Sequence, residues 1–349
     1  MSDDVLTARL THRRALVVDG HSDIPVDVVN RRRRGESHVL GRLHLPAWRE
    51  GGVNAAVLTV GGDQSLEASP SRYAMEAIDH LRNDVADQPQ HLAMVTTATD
   101  LSREVEDGRF AILMNMEGGM PLEGSLENLE RFYELGVRFM TLTWNVRNEL
   151  GTGASHQDSD GGLTEFGSRV VKTMADMGMV ADLSHASTAT FWDAVGLEQG
   201  NVVASHSNVA SLRPHPRNLT DEQIRALANQ DGFVGMTFFP EFLHSDRPGV
   251  REVVDHVAYV GELVGIEHVV LGTDYIDFAK EEIEARLRQS GAYDAGEFEY
   301  PRGLKTIHSL PNLTCEMTKR GFSDSDVSAV LGGNFLRVCH RILDERQTG

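Results

Sequence analysis

Short apolar runs recur along most of the chain and alternate with segments of helical periodicity. A strand buried on both faces is a continuous apolar run, whereas an amphipathic helix repeats its apolar residues every three or four positions. Eight runs fit the strand description, at 15–21, 54–60, 110–116, 138–143, 180–184, 202–205, 233–238 and 268–273. Six segments between them fit the helix description, at 71–87, 125–135, 164–178, 187–197, 220–230 and 250–264.

This order of strand then helix predicts an α/β fold, a (β/α)8 TIM barrel. Ser125 and Thr220 stand immediately before helical segments and are candidate N-caps. Two further helices are expected near the C-terminus, with Ser323 or Ser325 as candidate caps. Because no linker or change of composition divides the chain, residues 1–349 are expected to form one barrel domain with extra C-terminal helices.

The acidic composition argues against some classes of partner. The 349 residues carry 33 basic and 52 acidic side chains, a formal charge of −19, which repels the phosphate backbone of nucleic acids. The one basic run, Arg31 to Arg34, is expected to be a solvated loop, with the grip of an anionic partner as the alternative. We therefore expect no nucleic-acid partner.

Cysteine use and hydropathy bear on the compartment. Cys315 and Cys339 are too few for a disulfide framework and lack the spacing of a zinc knuckle, so we expect both to be reduced and buried. The N-terminal residues have no apolar segment typical of a secretory signal. No stretch reaches the roughly 18 apolar residues of a membrane span. A cytoplasmic protein without membrane contact is the expectation.

Polar residues stand where five of the predicted strands end, and in a barrel the carboxyl ends of the strands carry the catalytic groups. Taken singly, each has a structural explanation, such as a hydrogen-bonded histidine, the start of a loop or the cap of a turn. Three histidines and three carboxylates in one layer instead favour a metal centre. They are His21, Asp23, Glu117, His185, His206 and Asp274.

These residue types fit a binuclear metal site. Side chains alternate along a strand, so His21 and Asp23 point the same way and can bind one cation. His185 and His206 can bind a second cation, and the two oxygens of Glu117 can bridge both. Histidine and carboxylate ligands without thiolates suit zinc first, with manganese, cobalt or iron as alternatives.

Such a site would hydrolyse an amide or ester bond. Two metals about 3.5–4 Å apart would share a bridging hydroxide and polarise a carbonyl oxygen. Asp274 would then accept the proton of the bridging water and pass it to the leaving amine.

Several segments resemble the membrane (renal) dipeptidases, binuclear zinc enzymes with a (β/α)8 barrel. They follow the order of that family from residue 17 to about 338, and they are "DGHSDIP", "HLPAWREGGVNAAVLTV", "MEGGMPLEGSLENLERFYELGVRFMTLTWN", "GGLTEFGSRVVKTMADMGMVADLSHAS", "VVASHSNV", "RNLTDEQ" and "LGGNFLRV". The resemblance implies two zinc ions per chain. It implies the same ligands, with His21 and Asp23 on one zinc, His185 and His206 on the other, and Glu117 between them.

The resemblance also implies a residue that binds substrate. Arg217 in "HPRNLT" matches the arginine that reads the substrate carboxylate, while the nearby Arg213 is unmatched. A guanidinium suits this role because two parallel N–H groups meet two oxygens. A surface arginine in a Pro-rich loop is the alternative.

Two positions depart from the family pattern. The best-known members have a histidine after "LTLT" that is thought to hold the substrate carbonyl, whereas this chain has Trp144 and then Asn145. Both are candidate substrate-binding residues, and oxyanion stabilisation could fall to the metals, to Asn145 or to another group. Asp274 precedes "YIDF" instead of Phe-Asp-Gly, and we expect a loop or short-helix excursion over 276–303.

The resemblance implies a dipeptidase acting on small L-Xaa-Xaa substrates with an L- or D-residue in second position. A metal hydrolase of the same barrel type that acts on N-acyl amino acids, lactones or other cyclic amides is the alternative. A third hypothesis is a catalytically silent barrel that binds a ligand or partner, which the complete set of candidate metal ligands disfavours. Family barrels often pair, so a homodimer is an open possibility.

Overall fold

The computed structural model of the chain describes residues 3–63, 69–156, 161–244, 246–280, 285 and 298–344. Nine parallel strands form its sheet: β1 Val18–Ser22, β2 Ala55–Gly62, β3 Leu92–Met94, β4 Phe110–Glu117, β5 Val137–Thr141, β6 Val180–Asp182, β7 Val202–Ser207, β8 Val234–Met236 and β9 Val269–Leu271. Eight of them follow the order β1-β2-β4-β5-β6-β7-β8-β9, and β3 pairs with β4 outside this path. Asp19 on β1 accepts from the backbone N–H and the hydroxyl of Thr273, just after β9, at 2.9 and 2.8 Å. The sheet thus nearly closes into the barrel that the sequence predicts.

Helices follow most of the strands and cover the outside of the barrel. The described residues contain α1 Asp3–Arg14, α2 Ile24–Arg33, α3 Leu45–Glu50, α4 Pro70–Ala86, α5 Ala98–Glu106, α6 Leu126–Glu134, α7 Glu165–Asp176, α8 Thr188–Val195, α9 Asp221–Asn229, α10 Val250–Val264, α11 Pro311–Lys319, α12 Asp324–Ser328 and α13 Asn334–Cys339. All six predicted helical segments are confirmed to within a few residues. β3, α1, α2, α3 and α5 were not predicted.

The predicted caps are confirmed in part. Thr220 accepts from the backbone N–H of Gln223 in a capping box at the start of α9. Ser323, not Ser325, caps α12. Ser125 occupies the N-cap position of α6 without a side-chain cap bond.

One face of each long strand packs inside the barrel, and the C-terminal helices close its amino end. An inner cluster takes residues from seven strands together with α13 and the segment after it. Phe335 of α13 stacks on Phe139 of β5 with ring centroids 5.7 Å apart and lies 5.8 Å from the ring of Phe233, just before β8. Polar strand ends therefore gather at the opposite, carboxyl end of the barrel.

The basic run that begins at Arg31 is not the expected loop. It forms the last turn of α2 because acidic partners surround it. Arg31 Nε lies 2.8 Å from Asp27 Oδ1, and an Arg33 nitrogen lies 2.7 Å from Glu76 Oε2. These ion pairs neutralise the run within the fold.

Cys339 is buried and Cys315 is half-buried, and both are free thiols. None of the described helices has the length and apolar character needed to cross a membrane. The predicted excursion after Asp274 begins with a 3-10 turn at Asp277–Ala279. Residues 281–284 and 286–297 of that excursion lie outside the described residues.

Candidate metal centre

Glu117, the last residue of β4, is the centre of a cluster of imidazoles. Its Oε1 lies 3.1 Å from His185 Nε2, 3.4 Å from His206 Nε2 and 3.5 Å from His21 Nε2. β1 carries His21, β7 carries His206, and the turn after β6 carries His185. All four side chains are buried. Three of the six residues predicted at strand ends therefore converge on a carboxylate oxygen of a fourth, Glu117.

The remaining two predicted residues lie beside this cluster. Asp23, which precedes α2, has its Oδ2 3.9 Å from His21 Nε2. Donor atoms of His21, Asp23 and Asp274 all lie within 4.8 Å of one another, as do donor atoms of His21, Glu117 and His206. His21 is thus common to two groups, each of which could hold a cation.

Backbone strain coincides with this cluster. His185 and Asp274 have φ angles of 68° and 58°, in the left-handed region that non-glycine residues rarely adopt. Such a conformation costs on the order of 1–3 kcal/mol and concentrates at functional sites. Gly118, directly after Glu117, has φ +115°, and a Cβ there would lie 2.2 Å from Asp63 Cγ.

Burial sets the charges of the cluster. It lowers the pKa of His21, His185 and His206 below the ordinary value of imidazole, so these rings are neutral at neutral pH. Burial raises the pKa of Glu117 and of Asp274, and the negative charge of Asp23 raises both further. The cluster combines neutral imidazoles with carboxyl groups that repel one another, which is an environment that a cation would stabilise.

Arg217 lies next to the cluster, in the segment between β7 and α9. It is 3% exposed, donates to the backbone carbonyl of His206 at 3.1 Å and lies over the ring of Phe242. Together with His185 it lines a cavity of about 370 Å³. Arg213 instead donates to the carbonyl of Glu241 at 3.3 Å. The matched arginine is therefore the one that shares a cavity with a candidate ligand.

Trp144 and Asn145, in the loop after β5, are both buried. The Trp144 ring centroid lies 6.1 Å from that of His185. Asn145 Oδ1 lies 2.8 Å from His185 Nδ1, so the amide contacts the ring of a candidate ligand directly. In this arrangement Asn145 can orient His185.

Sequence reasoning missed two buried aspartates that organise this end of the barrel. Asp63 accepts from the backbone N–H of Met120 and of Trp144 and from the Asn148 amide, at 2.8, 3.1 and 2.6 Å. Burial raises its pKa to about 6. Asp182 contacts the strand of His206. Asp182 stands three residues before His185, and this spacing in "VADLSH" is the one signal in the sequence that could have indicated it.

Comparisons with known proteins agree with the family resemblance found in the sequence. The family model described as membrane dipeptidase (peptidase family M19) matches residues 6–288 and 289–348. A dipeptidase of Aspergillus oryzae, aclJ, is 29% identical over 346 residues, covering 93% of this chain and 78% of the relative.

Solved structures with similar folds cover almost the whole chain. An amidohydrolase from Pseudomonas aeruginosa has a TM-score of 0.85 at 26% identity and covers 97% of this chain and 99% of its own. A metallopeptidase from Rhodobacter sphaeroides, solved with a phosphinate mimic of L-Ala-D-Ala, has a TM-score of 0.80 at 24% identity, with 94% and 99% covered.

Proposed function

This chain belongs to the membrane dipeptidase family of metallopeptidases, and from that premise we propose that it hydrolyses small dipeptides with the cluster around Glu117 as its metal centre. The observation that carries the proposal is the convergence of three imidazole Nε2 atoms within 3.5 Å of one Glu117 oxygen. Neutral imidazoles and carboxylates without thiolates form the donor set that zinc prefers.

The surroundings of His21 support a metal ligand. The side chain is 1% exposed, and neither of its ring nitrogens has a hydrogen-bond partner among the described residues. Leaving a buried polar group unsatisfied costs about 1–3 kcal/mol, and a coordinated cation would remove that cost. We assign His21 and Asp23 to one zinc and His185 and His206 to a second, with Glu117 between them. When bound, such cations would act as Lewis acids on a scissile carbonyl and lower the pKa of water.

Asp274 is the proposed proton carrier of the reaction. Its carboxyl group lies near His21 and Asp23, and its Oδ2 accepts from the Thr237 hydroxyl at 3.4 Å. Burial and the charge of Asp23 raise its pKa, which makes it a better base than an ordinary aspartate. It would accept a proton from the attacking water and donate it to the amine of the departing residue.

Arg217 is the proposed binding group for the free carboxylate of a dipeptide. Arg217 and His185 line the same cavity, so a carboxylate bound there by Arg217 would lie close to the centre. Trp144, next to His185, is the proposed wall of the substrate site, and Asn145 the group that orients His185. These contacts favour substrates with a carboxylate close to the scissile bond.

A coupled experiment tests this function. Purified protein is analysed for bound metals and assayed on a panel of L-Xaa-L-Xaa and L-Xaa-D-Xaa dipeptides, N-acyl amino acids and lactones. We expect about two metals per chain and the highest kcat/KM on dipeptides, including those with D-alanine in second position. Hydrolysis of acylated amino acids or lactones, with no hydrolysis of dipeptides, would overturn the dipeptidase assignment. The proposed metal centre would still stand.

A further inference from the structure

Asp182, the last residue of β6, is a buried carboxylate with four hydrogen-bond donors. Its Oδ1 accepts from the backbone N–H of Ser184 at 3.0 Å and of Ser205 at 2.8 Å. Its Oδ2 accepts from the hydroxyls of Thr141 at 2.8 Å and Ser205 at 2.5 Å. An ionised carboxylate can only accept, so the hydroxyl proton of Ser205 points to Asp182.

The direction of the hydrogen bond from Ser205 to Asp182 determines the direction of the bond between Ser205 and His206. Ser205 Oγ also lies 2.7 Å from His206 Nδ1. Because its own proton is used on Asp182, the oxygen acts as acceptor and Nδ1 of His206 carries the donated proton. The hydroxyl of Ser184, 3.5 Å from Ser205 Oγ, can only add a second donor to the same oxygen.

The consequence appears on the other side of the imidazole ring. A neutral imidazole with its proton on Nδ1 has its lone pair on Nε2. That Nε2 faces Glu117 Oε1 at 3.4 Å and His185 Nε2 at 2.8 Å. The lone pair therefore points into the centre of the cluster.

We propose that Asp182 and Ser205 form a relay that holds His206 in the Nδ1-protonated tautomer, so that its Nε2 is ready to bind metal. Both are positioning residues, because they act through His206. The inference rests on the proposed metal role of His206. Partners of this kind orient metal-binding histidines, and their loss costs about 10–100-fold in metal affinity.

Three variants separate the relay from general packing. Ser205→Ala removes the acceptor and leaves both tautomers accessible. Asp182→Asn reverses the direction of both hydrogen bonds. The amide N–H can donate to Ser205 Oγ, and the Ser205 hydroxyl then donates to His206 Nδ1. The ring proton of His206 would therefore move to Nε2. Thr141→Val is the matched control, since it removes a donor to the same oxygen of Asp182 without touching His206.

The first measurement is Zn²⁺ affinity by chelator competition. We expect the Zn²⁺ affinity of the site that includes His206 to fall about 10–100-fold in Ser205→Ala and further in Asp182→Asn, with Thr141→Val close to wild type. Equal losses in Ser205→Ala and Thr141→Val, or none in Ser205→Ala, would overturn the relay. If Asp182→Asn does not fold, the comparison of Ser205→Ala with Thr141→Val still decides.

The second measurement does not depend on metal. Long-range ¹H–¹⁵N correlation spectra of the metal-free protein, with the His206 signal assigned by its loss in His206→Gln, report the tautomer directly. A proton on Nδ1 in the wild type and on Nε2 in Asp182→Asn is the expected result, and a wild-type proton on Nε2 would overturn the relay. A protein that shows the expected tautomers but binds no metal would refute the proposed function and leave the relay intact.

Discussion

The Nε2 atoms of His185 and His206 lie 2.8 Å apart, within hydrogen-bonding distance. Such a bond needs a proton on one of the two nitrogens. Yet the Nδ1 of each ring already faces a group that can accept its proton, Asn145 Oδ1 for His185 and Ser205 Oγ for His206. With both protons on Nδ1, two lone pairs would face each other across this gap, an arrangement that a bound cation would stabilise.

Asp274→Asn separates metal binding from proton transfer. The amide cannot accept a proton at neutral pH, so we expect normal metal content and a fall in kcat of about 10²–10⁴-fold, the usual contribution of a general base or acid. Steady-state kinetics with parallel metal analysis measures both. Asp277→Asn, in the turn that follows, is the control, and full turnover in Asp274→Asn would exclude Asp274 from the reaction.

Arg217→Ala tests the recognition of the substrate carboxylate. Hydrogen bonds to charged groups contribute about 1.5–3 kcal/mol, so kcat/KM for free dipeptides should fall roughly 10–100-fold. Dipeptide amides lack the carboxylate and should lose little. Arg213→Ala, whose side chain donates to the carbonyl of Glu241, provides the comparison. A fall of the same size on amidated substrates would contradict the assignment.

His256 gives the protein a pH-dependent stability outside the centre. It is buried, its Nδ1 accepts from the backbone N–H of Val209 at 3.1 Å, and burial lowers its pKa to about 3. The unfolded chain, with an ordinary histidine pKa of about 6.5, binds more protons over the window from pH 6.5 to 3, so the free energy of unfolding falls as pH falls through it.

The matching experiment compares the wild type with His256→Gln. A difference of 1.5 pH units below 6.5 corresponds to about 2 kcal/mol, so the wild type should lose about that much more unfolding free energy than the variant between pH 7 and pH 5. Urea denaturation at both pH values, at equal metal loading, gives the numbers. His308→Gln, at an exposed histidine, is the control. Identical pH slopes for wild type and His256→Gln would refute this effect.

The barrel could be predicted because its long strands, such as β2 and β4, are mostly apolar and are buried along their whole length. β3 (Leu92–Met94) was not predicted, and it is the strand that pairs with β4 outside the main strand order. α1 escaped because its sequence, DDVLTARLTHRR, has few apolar residues. It is held by packing on α11, where His12 Nδ1 lies 2.7 Å from Thr314 Oγ1. No local sequence pattern predicts such a tertiary contact.

Part of the candidate site could likewise be predicted from the sequence, and part could not. His21, Glu117 and His206 could be found because strand ends of one barrel meet in one layer. Asp182 and Ser205 were not predicted. The spacing between Asp182 and His185 is visible in the sequence, but a single aspartate or serine in a strand has many possible roles. Only the three-dimensional structure brings the Ser205 hydroxyl within 2.5 Å of Asp182 and 2.7 Å of His206.

Metal content of the wild type and of Glu117→Ala tests the central claim most directly. Glu117→Ala removes the carboxylate whose Oε1 lies within 3.5 Å of all three imidazole Nε2 atoms. Glu104→Ala instead removes a buried glutamate of α5 that pairs with Arg109. Elemental analysis should find about two metals per chain in the wild type and in Glu104→Ala. It should find a marked loss in Glu117→Ala, together with loss of dipeptide hydrolysis. Full metal content in Glu117→Ala would contradict the bridging role, and a wild type that binds no metal would contradict the metal centre itself.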